Sequence, residues 1–310
     1  MDSVTAFAPA SVGNVGVGFD ILGHALEGVG DTVGLQRREA PGIVLVEVSG
    51  LLTELPREPS ANSATRPLLR LLADHGIGEG CKVRLHKGIP LGSGMGGSAA
   101  SAVAAVVAAD ALWGLGLDYS TLLEYALDGE SAASGEAHPD NAAASLIGGL
   151  VLTEPGQPPR CTRLPAPSGV SCVLCHPALE VRTRDARRIL AGSVTREQWV
   201  RQSGWLAGFI AGCLRDDLAQ VTRCLRDEIV WPQRARLVPG AEQALAAAHG
   251  AGALGGSLSG SGPSVFAWTP EERAEAVAEA MKASFSRGNV SSETWISSLD
   301  APGAHIVAES

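Results

Sequence analysis

Positive charge is in short supply: 24 Lys and Arg stand against 33 Asp and Glu, a net charge of −9. A broad electrostatic footprint for phosphate backbones is therefore missing, which argues against a nucleic-acid partner. One small anion is another matter, because net charge says nothing about a pocket a few ångströms across. Long apolar runs are missing too. The longest uncharged stretch, between Lys87 and Asp110, is largely Gly, Ser and Pro in its first half. Its unbroken apolar part, Ala102 to Ala109, falls far short of the ~20 residues a bilayer needs. The opening MDSVTAFAPAS has neither the basic region nor the apolar stretch of a signal peptide, so a cytoplasmic protein with no membrane partner is expected. Six scattered cysteines are too few for a disulfide scaffold in this length of chain; reduced, mostly buried thiols are expected. Cys172 and Cys175 form a C-x-x-C, but no second pair stands at zinc-site spacing. In an apolar strand-like run the two thiols face different sides or are buried.

What is present is enough apolar material to fold. With 45% hydrophobic and 18% charged residues the chain is not a disordered one, and 310 residues make two domains or one large one. Short runs punctuated by Gly and Pro predict strands over 4–8, 15–22, 32–38 and 43–48. Leucines at helical spacing predict a helix over 64–75, with Asn62 or Ser63 available as its cap and Pro67 confined to its first turn. A strand over 81–86, a glycine-rich turn over 88–97 and an Ala/Val-rich helix over 98–113 follow, and the absence of charge in that helix requires burial. Helices over 119–133 and 141–146 and a strand over 150–153 complete this half. Five prolines between 155 and 167 mark a link, giving lobes over 1–155 and 168–310. The second half reads as a strand at 170–175, helices at 183–190, 197–214, 218–229 and 241–248, strands at 253–258 and 264–268, a helix at 271–285 and a strand at 290–296. Both halves are α+β, with no repeat of fixed period.

The strongest chemical signal is Pro90-Leu-Gly-Ser-Gly-Met-Gly-Gly-Ser-Ala-Ala-Ser101, a glycine-rich turn running from a strand into a helix. Such a turn points backbone N–H groups inward, and the helix N-terminus adds unsatisfied donors and partial positive charge, which favours phosphate oxygens. A tight structural turn is the alternative. Gly92, Gly94 and Gly97 also satisfy G-x-G-x-x-G, the dinucleotide pattern of an oxidoreductase. That match is a decoy, because Lys87, Gly88 and Pro90 separate the loop from its strand and the strand is not the first of its domain. The nucleotide-binding motif G-x-x-x-x-G-K-[ST] is absent. A second cluster, Gly255-Gly-Ser-Leu-Ser-Gly-Ser-Gly-Pro263, is longer than a hairpin needs and could approach the first loop or a ligand.

Asn14 and Asp20 sit among glycines in PASVGNVGVGFD, where amide and carboxylate suit an amino or hydroxyl group, or else an Asx turn. The segment ESAASGEAHPDN gathers Glu130, Glu136, His138, Asp140 and Asn141. Glu130 has the chemistry of a magnesium ligand, while Asp140 can cap a helix opening at Asn141. In the run Arg182, Arg184, Arg187 and Arg188, mostly a solvated helix face, one inward member could hold a carboxylate bidentately, and Arg234 and Arg236 allow the same argument.

The order of these segments along the chain resembles that of the GHMP kinases, and in particular their homoserine branch, from Ala8 to Ala267 at least. The resemblance implies a two-lobed fold, with an N-terminal lobe like ribosomal protein S5 domain 2, a ferredoxin-like C-terminal lobe, and ATP between them. It implies that Pro90, Leu91, Gly92, Ser93, Gly94, Met95, Gly96, Gly97, Ser98, Ala99 and Ala100 carry the phosphates, that Asn62 lies near adenine, and that Ser98 and Glu130 hold Mg2+. L-homoserine would be gripped by Asn14, Asp20, His138, Thr183, Arg187 and Arg234. Asp20, Glu130, Asn141 and Arg187 would form the catalytic set, and a homodimer is implied. The implied reaction is ATP-dependent phosphorylation of the homoserine side-chain hydroxyl, a step of threonine biosynthesis. Asp20 is left either as a base, against a mismatch of many pKa units with an alcohol, or as a residue that only positions the substrate. The chain departs from the family pattern at Met95, in place of leucine, and at Gly97, in place of the first of two serines. The methionine is a volume match, and Gly97 keeps its backbone donor, so tuned affinity with retained activity is expected. Two rivals remain at this point: another small-molecule GHMP kinase, acting on mevalonate or a sugar, and a non-catalytic binding protein on the same scaffold.

Overall fold

A computed structural model of the chain describes residues 2–135 and 137–309. In chain order the elements are β1 (Ser3–Gly13), β2 (Leu22–Arg38), β3 (Ile43–Gly50), α1 (Arg66–Asp74), β4 (Gly80–Lys87), α2 (Gly97–Trp113), α3 (Tyr119–Ser134), α4 (Pro139–Ile147), β5 (Leu150–Glu154), β6 (Arg160–Leu164) and β7 (Val170–Pro177). There follow α5 (Thr183–Arg188), α6 (Arg196–Arg215), α7 (Leu218–Cys224), α8 (Trp231–Arg234), α9 (Ala241–Gly250), β8 (Gly255–Leu258), β9 (Val265–Pro270), α10 (Ala274–Arg287), β10 (Ser292–Ser298) and β11 (His305–Glu309).

The first sheet runs β11-β1-β2-β4-β3, with β5 and β6 continuing from β2. Its pairs are antiparallel except β3 with β4. Helix α2 lies against β1 and β2, and almost every residue from Ala99 to Ala109 is buried. This is the environment that an uncharged Ala/Val helix requires, since it has no polar face to offer to water. The second sheet runs β10-β7-β9-β8, all antiparallel, which is the strand order of the expected ferredoxin-like lobe. Alternation along its strands feeds two cores. Cys172, Leu174, Phe266 and Trp268 join the core shared with the first lobe, while Val173, Cys175, Val265 and Ala267 pack with α9 and α10. Cys172 and Cys175 are free, on opposite faces of β7, and burial pushes both thiols well above their ordinary range.

The structure departs from the sequence reading in four places. Residues 15–21 are not a strand, which begins only at Leu22: the chain turns through positive φ at Asn14, Val15 and Asp20, and Val15 and Val17 are buried beneath the turn, which is why the segment looks like a strand. The proline-rich link contains β6, paired to β5. The last strand, β11, assigned to the second lobe by position, crosses back to pair with β1, so one cut does not separate the lobes. The helix expected over 218–229 stops at Cys224, because Asp227 accepts from the N–H groups of Ile229, Val230 and Trp231 and starts α8 instead. Among the described residues no helix is long and apolar enough to cross a membrane.

Candidate active site

A cavity of about 500 Å³ is lined from both halves of the chain, and it has two chemically different halves of its own. The first is built from backbone. Leaving β4, the chain passes through Pro90 to Gly96 into α2, and every residue from Pro90 to Ser98 lines the cavity. Gly96, at φ 67°, precedes the helix, and no side chain caps it. The first amide the helix itself uses is that of Ala100, bonded to Gly96 O at 2.9 Å. The amides of the first turn are thus left for a ligand, and the helix dipole adds positive potential. Ser93 Oγ, buried in the wall, has no hydrogen-bond partner among the described residues.

The second glycine-serine cluster backs this loop. Ser259 Oγ donates to Gly94 O at 2.7 Å and Ser264 N to Ser93 O at 3.2 Å. A Cβ on Gly94, itself at φ 75°, would stand 2.3 Å from Ser259 O. The close approach considered for this cluster is therefore observed, and it is an approach to the loop. Beneath the loop lies a network the sequence reading missed. Lys87 is paired with Asp31 and donates to Gly97 O and Ser101 Oγ, both at 2.9 Å, while Ser101 Oγ donates to Asp31 at 2.6 Å. Alternation could have found it: Lys87 follows Cys81, Val83 and Leu85 on the inward face of β4, and Asp31 lies between Val29 and Val33 on the inward face of β2. A charge in a buried phase needs a buried partner.

The second half is built from side chains. Arg187 donates from both Nη groups to Asp20, each at 3.0 Å. Arg234 is 3% exposed; its Nε donates to Ala186 O at 3.0 Å and its Nη1 to Gly260 O at 3.1 Å. Among the described residues it has no ion pair, and burial first, then Arg187, pulls its pKa down. The Phe19 ring stands against both guanidinium groups, at 5.8 Å from Arg187 and 5.1 Å from Arg234. Asn14 holds the turn together, accepting from Asp20 N at 3.0 Å and donating to Gly260 O at 2.9 Å. The positive φ of Asp20 is kept by these bonds and aims its carboxylate into the cavity.

Between the halves stand Glu130, His138, Asp140 and Asn141. Glu130 accepts from His138 N at 2.9 Å and pairs with its Nδ1 at 3.0 Å. Burial disfavours the imidazolium, but the hydrogen bond and charge of Glu130 outweigh it and raise the His138 pKa. Asp140 does not cap a helix at Asn141: α4 opens at Pro139 with His138 before it. Its carboxylate accepts from Asn14 N at 3.0 Å and Asn141 N at 2.9 Å, and burial, then the charge of Asp20, pushes it up to about 6. Asn141 Oδ1 accepts from Ser11 Oγ at 2.9 Å, which pins α4 to β1. Thr183 lines the cavity from the start of α5. Arg182 and Arg184 line it as well, whereas Arg188 pairs with Asp185. The Asn62 side chain donates to Pro56 O and accepts from Ala64 N, with the neighbouring Ser63 on the cavity wall. Ala99 and Ala100 are buried in the first turns of α2, where their side chains pack into the core. Glu136 lies outside the described residues.

Two lobes of this topology, with an uncapped glycine loop and a charged cluster facing one cleft, define the GHMP class of small-molecule kinases. The GHMP kinases N terminal domain matches residues 62–149 and the GHMP kinases C terminal domain residues 209–287. The chain is 43% identical to the homoserine kinase of Xanthomonas campestris pv. campestris (strain B100) over 304 residues, 98% of this chain and 94% of that one. It is 40% identical to the homoserine kinase of Chlorobium phaeovibrioides (strain DSM 265 / 1930), covering 99% of this chain and 100% of the relative. The crystal structure of homoserine kinase from Cytophaga hutchinsonii ATCC 33406 superposes with a TM-score of 0.96 at 40% identity, over 99% of this chain and 98% of that one. The chain belongs to the homoserine kinase family of GHMP kinases.

Proposed function

We propose that this protein transfers the γ-phosphoryl group of ATP to the side-chain hydroxyl of L-homoserine, giving O-phospho-L-homoserine and ADP. The observation that carries the reading is that one cavity joins an uncapped helix end to an acidic–basic pair and a buried arginine. The polyphosphate lies along the amides of residues 94–98, with the Lys87 charge beneath them. The α-carboxylate of homoserine meets Arg234 and Arg187, its ammonium meets Asp20, and its hydroxyl points toward the loop past Asn141 and Thr183. Asn14 acts by holding Asp20, and His138 by orienting Glu130. Phosphoryl transfer through a loose transition state asks mainly for position and charge neutralisation, so Asp20 serves as a binder and no base is assigned.

Magnesium fits the residues present. Ser98 and Glu130 both line the cavity, the first offering a hydroxyl and the second, 2% exposed, a carboxylate. Among the described residues no group of three or more His, Cys, Asp and Glu gathers as a metal site, and magnesium does not call for one, taking one or two carboxylates with phosphates and water. When bound, the ion neutralises charge on the transferring phosphoryl group. A cytoplasmic homodimer belongs to the same proposal, and sedimentation tests its second part.

ADP release measured with L-homoserine, mevalonate and galactose, with and without EDTA, tests the reading. Turnover of L-homoserine alone, abolished by EDTA and restored by magnesium, is expected. Turnover of mevalonate or galactose with L-homoserine inert would overturn it, and ATP binding without turnover of any substrate would favour a binding protein.

A further inference from the structure

Most cations of the cavity are already engaged. Lys87 is paired with Asp31, Arg187 with Asp20, and Arg234 is fixed by two backbone carbonyls. Arg182 and Arg184 line the same cavity and, among the described residues, hold no ion pair or hydrogen bond through their side chains. Of the two, Arg182 stands on the stretch of chain that touches the glycine loop. Val181 N donates to Gly92 O at 3.2 Å, and a Cβ on Gly92 would stand 2.4 Å from Cγ of Glu180. Residues 180–182 therefore lie against the loop, whereas Arg184 is already inside the first turn of α5. The backbone of Arg182 is extended, at φ −73° and ψ 128°, and successive side chains of extended backbone point opposite ways. Val181 goes into the second core; Arg182 goes to the cavity wall, exposed.

Resting on the reading that this cavity transfers a phosphoryl group to homoserine, we propose that Arg182 is a further catalytic residue, an arginine supplied by the second lobe that contacts the γ-phosphoryl oxygens from across the glycine loop. In the transfer, the bond from the γ-phosphorus to the bridging oxygen breaks and leaves its electron pair on ADP. The homoserine oxygen bonds to that phosphorus, and the hydroxyl proton leaves to water. Charge grows on the ADP oxygen and stays spread over the γ oxygens. The loop meets it with amide dipoles, and the Lys87 charge beneath them is matched by Asp31. A triphosphate carries more negative charge than one magnesium ion cancels, and the Glu180 carboxylate on the cavity wall adds to the excess. A planar guanidinium fork, with donors matched to two phosphoryl oxygens, supplies what is missing. ADP has no γ oxygens for the fork to hold, so the contact favours ATP over the product.

The test is made on the full chain with Arg182→Gln, Arg182→Lys and Arg184→Gln. Arg188→Gln serves as the control for loss of one charge from the same segment, since that arginine pairs with Asp185 and does not line the cavity. Arg182→Gln is expected to lower kcat roughly 100-fold while the KM for L-homoserine stays within about threefold of the wild type. Arg182→Lys, which keeps the charge and loses the fork, is expected to lose roughly 10-fold. By calorimetry, a non-hydrolysable ATP analogue is expected to bind Arg182→Gln about 10-fold more weakly and ADP within about threefold of the wild type. An unchanged kcat, a loss confined to the KM for L-homoserine, or an equal loss of ATP analogue and ADP would overturn the proposal. So would a loss carried by Arg184→Gln in place of Arg182→Gln, or an equal loss in Arg188→Gln. Arg182 is exposed and packs into neither core, so urea midpoints equal to the wild type are expected for its variants. The comparison of ATP analogue with ADP needs no acceptor. It is therefore read even if the wild type turns over no homoserine, the outcome that would remove the functional reading instead.

Discussion

The phosphate half and the amino-acid half of the cavity are made of different material. The first is nine consecutive residues whose work is done by backbone amides, backed by a second backbone loop. The second draws on residues 14, 20, 138, 141, 187 and 234, from both lobes, and its work is done by charged and amide side chains. A backbone site tolerates change of side chain as long as the path of the chain survives, which is how Met95 and Gly97 can depart from the family pattern. A side-chain site has no such slack, because each member is held by another: Asn14 by Gly260, Asp20 by Asn14, Arg234 by Ala186.

Substitutions that bend the backbone or remove a charge separate the halves, and the largest effect belongs to the loop. Gly94→Val places a Cβ against Ser259 O at a positive φ, and ATP affinity by calorimetry is expected to fall by ~1,000-fold. Next comes Arg234→Ala, expected to lower kcat/KM for homoserine by about 100- to 1,000-fold while leaving ATP affinity within about threefold. Loss of both affinities together would erase the distinction between the halves.

Lys87→Met is a stability change, because it leaves Asp31 charged and buried. About 3–5 kcal/mol of destabilisation is expected in urea unfolding; less than about 1 kcal/mol would mean that the network does not support the loop. A smaller change is expected at Asp140. Its carboxyl sits at about 6 when folded, against an ordinary value near 4. Between those values the folded protein binds a proton that the unfolded chain releases, so this group makes stability fall as pH rises from about 4 to about 6. Asp140→Asn lacks that component. Relative to the wild type it is expected to gain roughly 2–3 kcal/mol between pH 4 and pH 7 in urea melts, and a constant difference across that range would contradict the assignment. Smallest of all is Gly97→Ser, where a Cβ meets Ile89 Cγ2 at 3.2 Å; a KM for ATP within about threefold of the wild type is expected if backbone donors carry the site.

The same contrast governs what could be read from the residues. The loop, the buried helix α2 and the apolar runs of β7 and β9 are local patterns, and they stand where the sequence places them. Asp20, Arg187 and Arg234 lie far apart in sequence, and their own neighbourhoods suggest an Asx turn and a solvated helix face; the order of motifs brings them together, not their spacing. Residues 15–22 alternate like a strand because Val15 and Val17 are buried, although glycines and positive φ angles turn the chain there. β6 and β11 are short and mostly exposed; β6 gains its place by pairing with β5 across the proline-rich link and β11 by pairing with distant β1, which no apolar pattern records. A place for Asn62 near adenine comes from the resemblance alone, since its side chain bonds within the turn before α1.

A crystal structure with a non-hydrolysable ATP analogue and L-homoserine tests the central claim most directly. The phosphates are expected on the amides of residues 94–98, the homoserine carboxylate on Arg187 and Arg234, and the hydroxyl facing the γ-phosphate. A nucleotide bound elsewhere, or a homoserine whose carboxylate meets neither Arg187 nor Arg234, would contradict it.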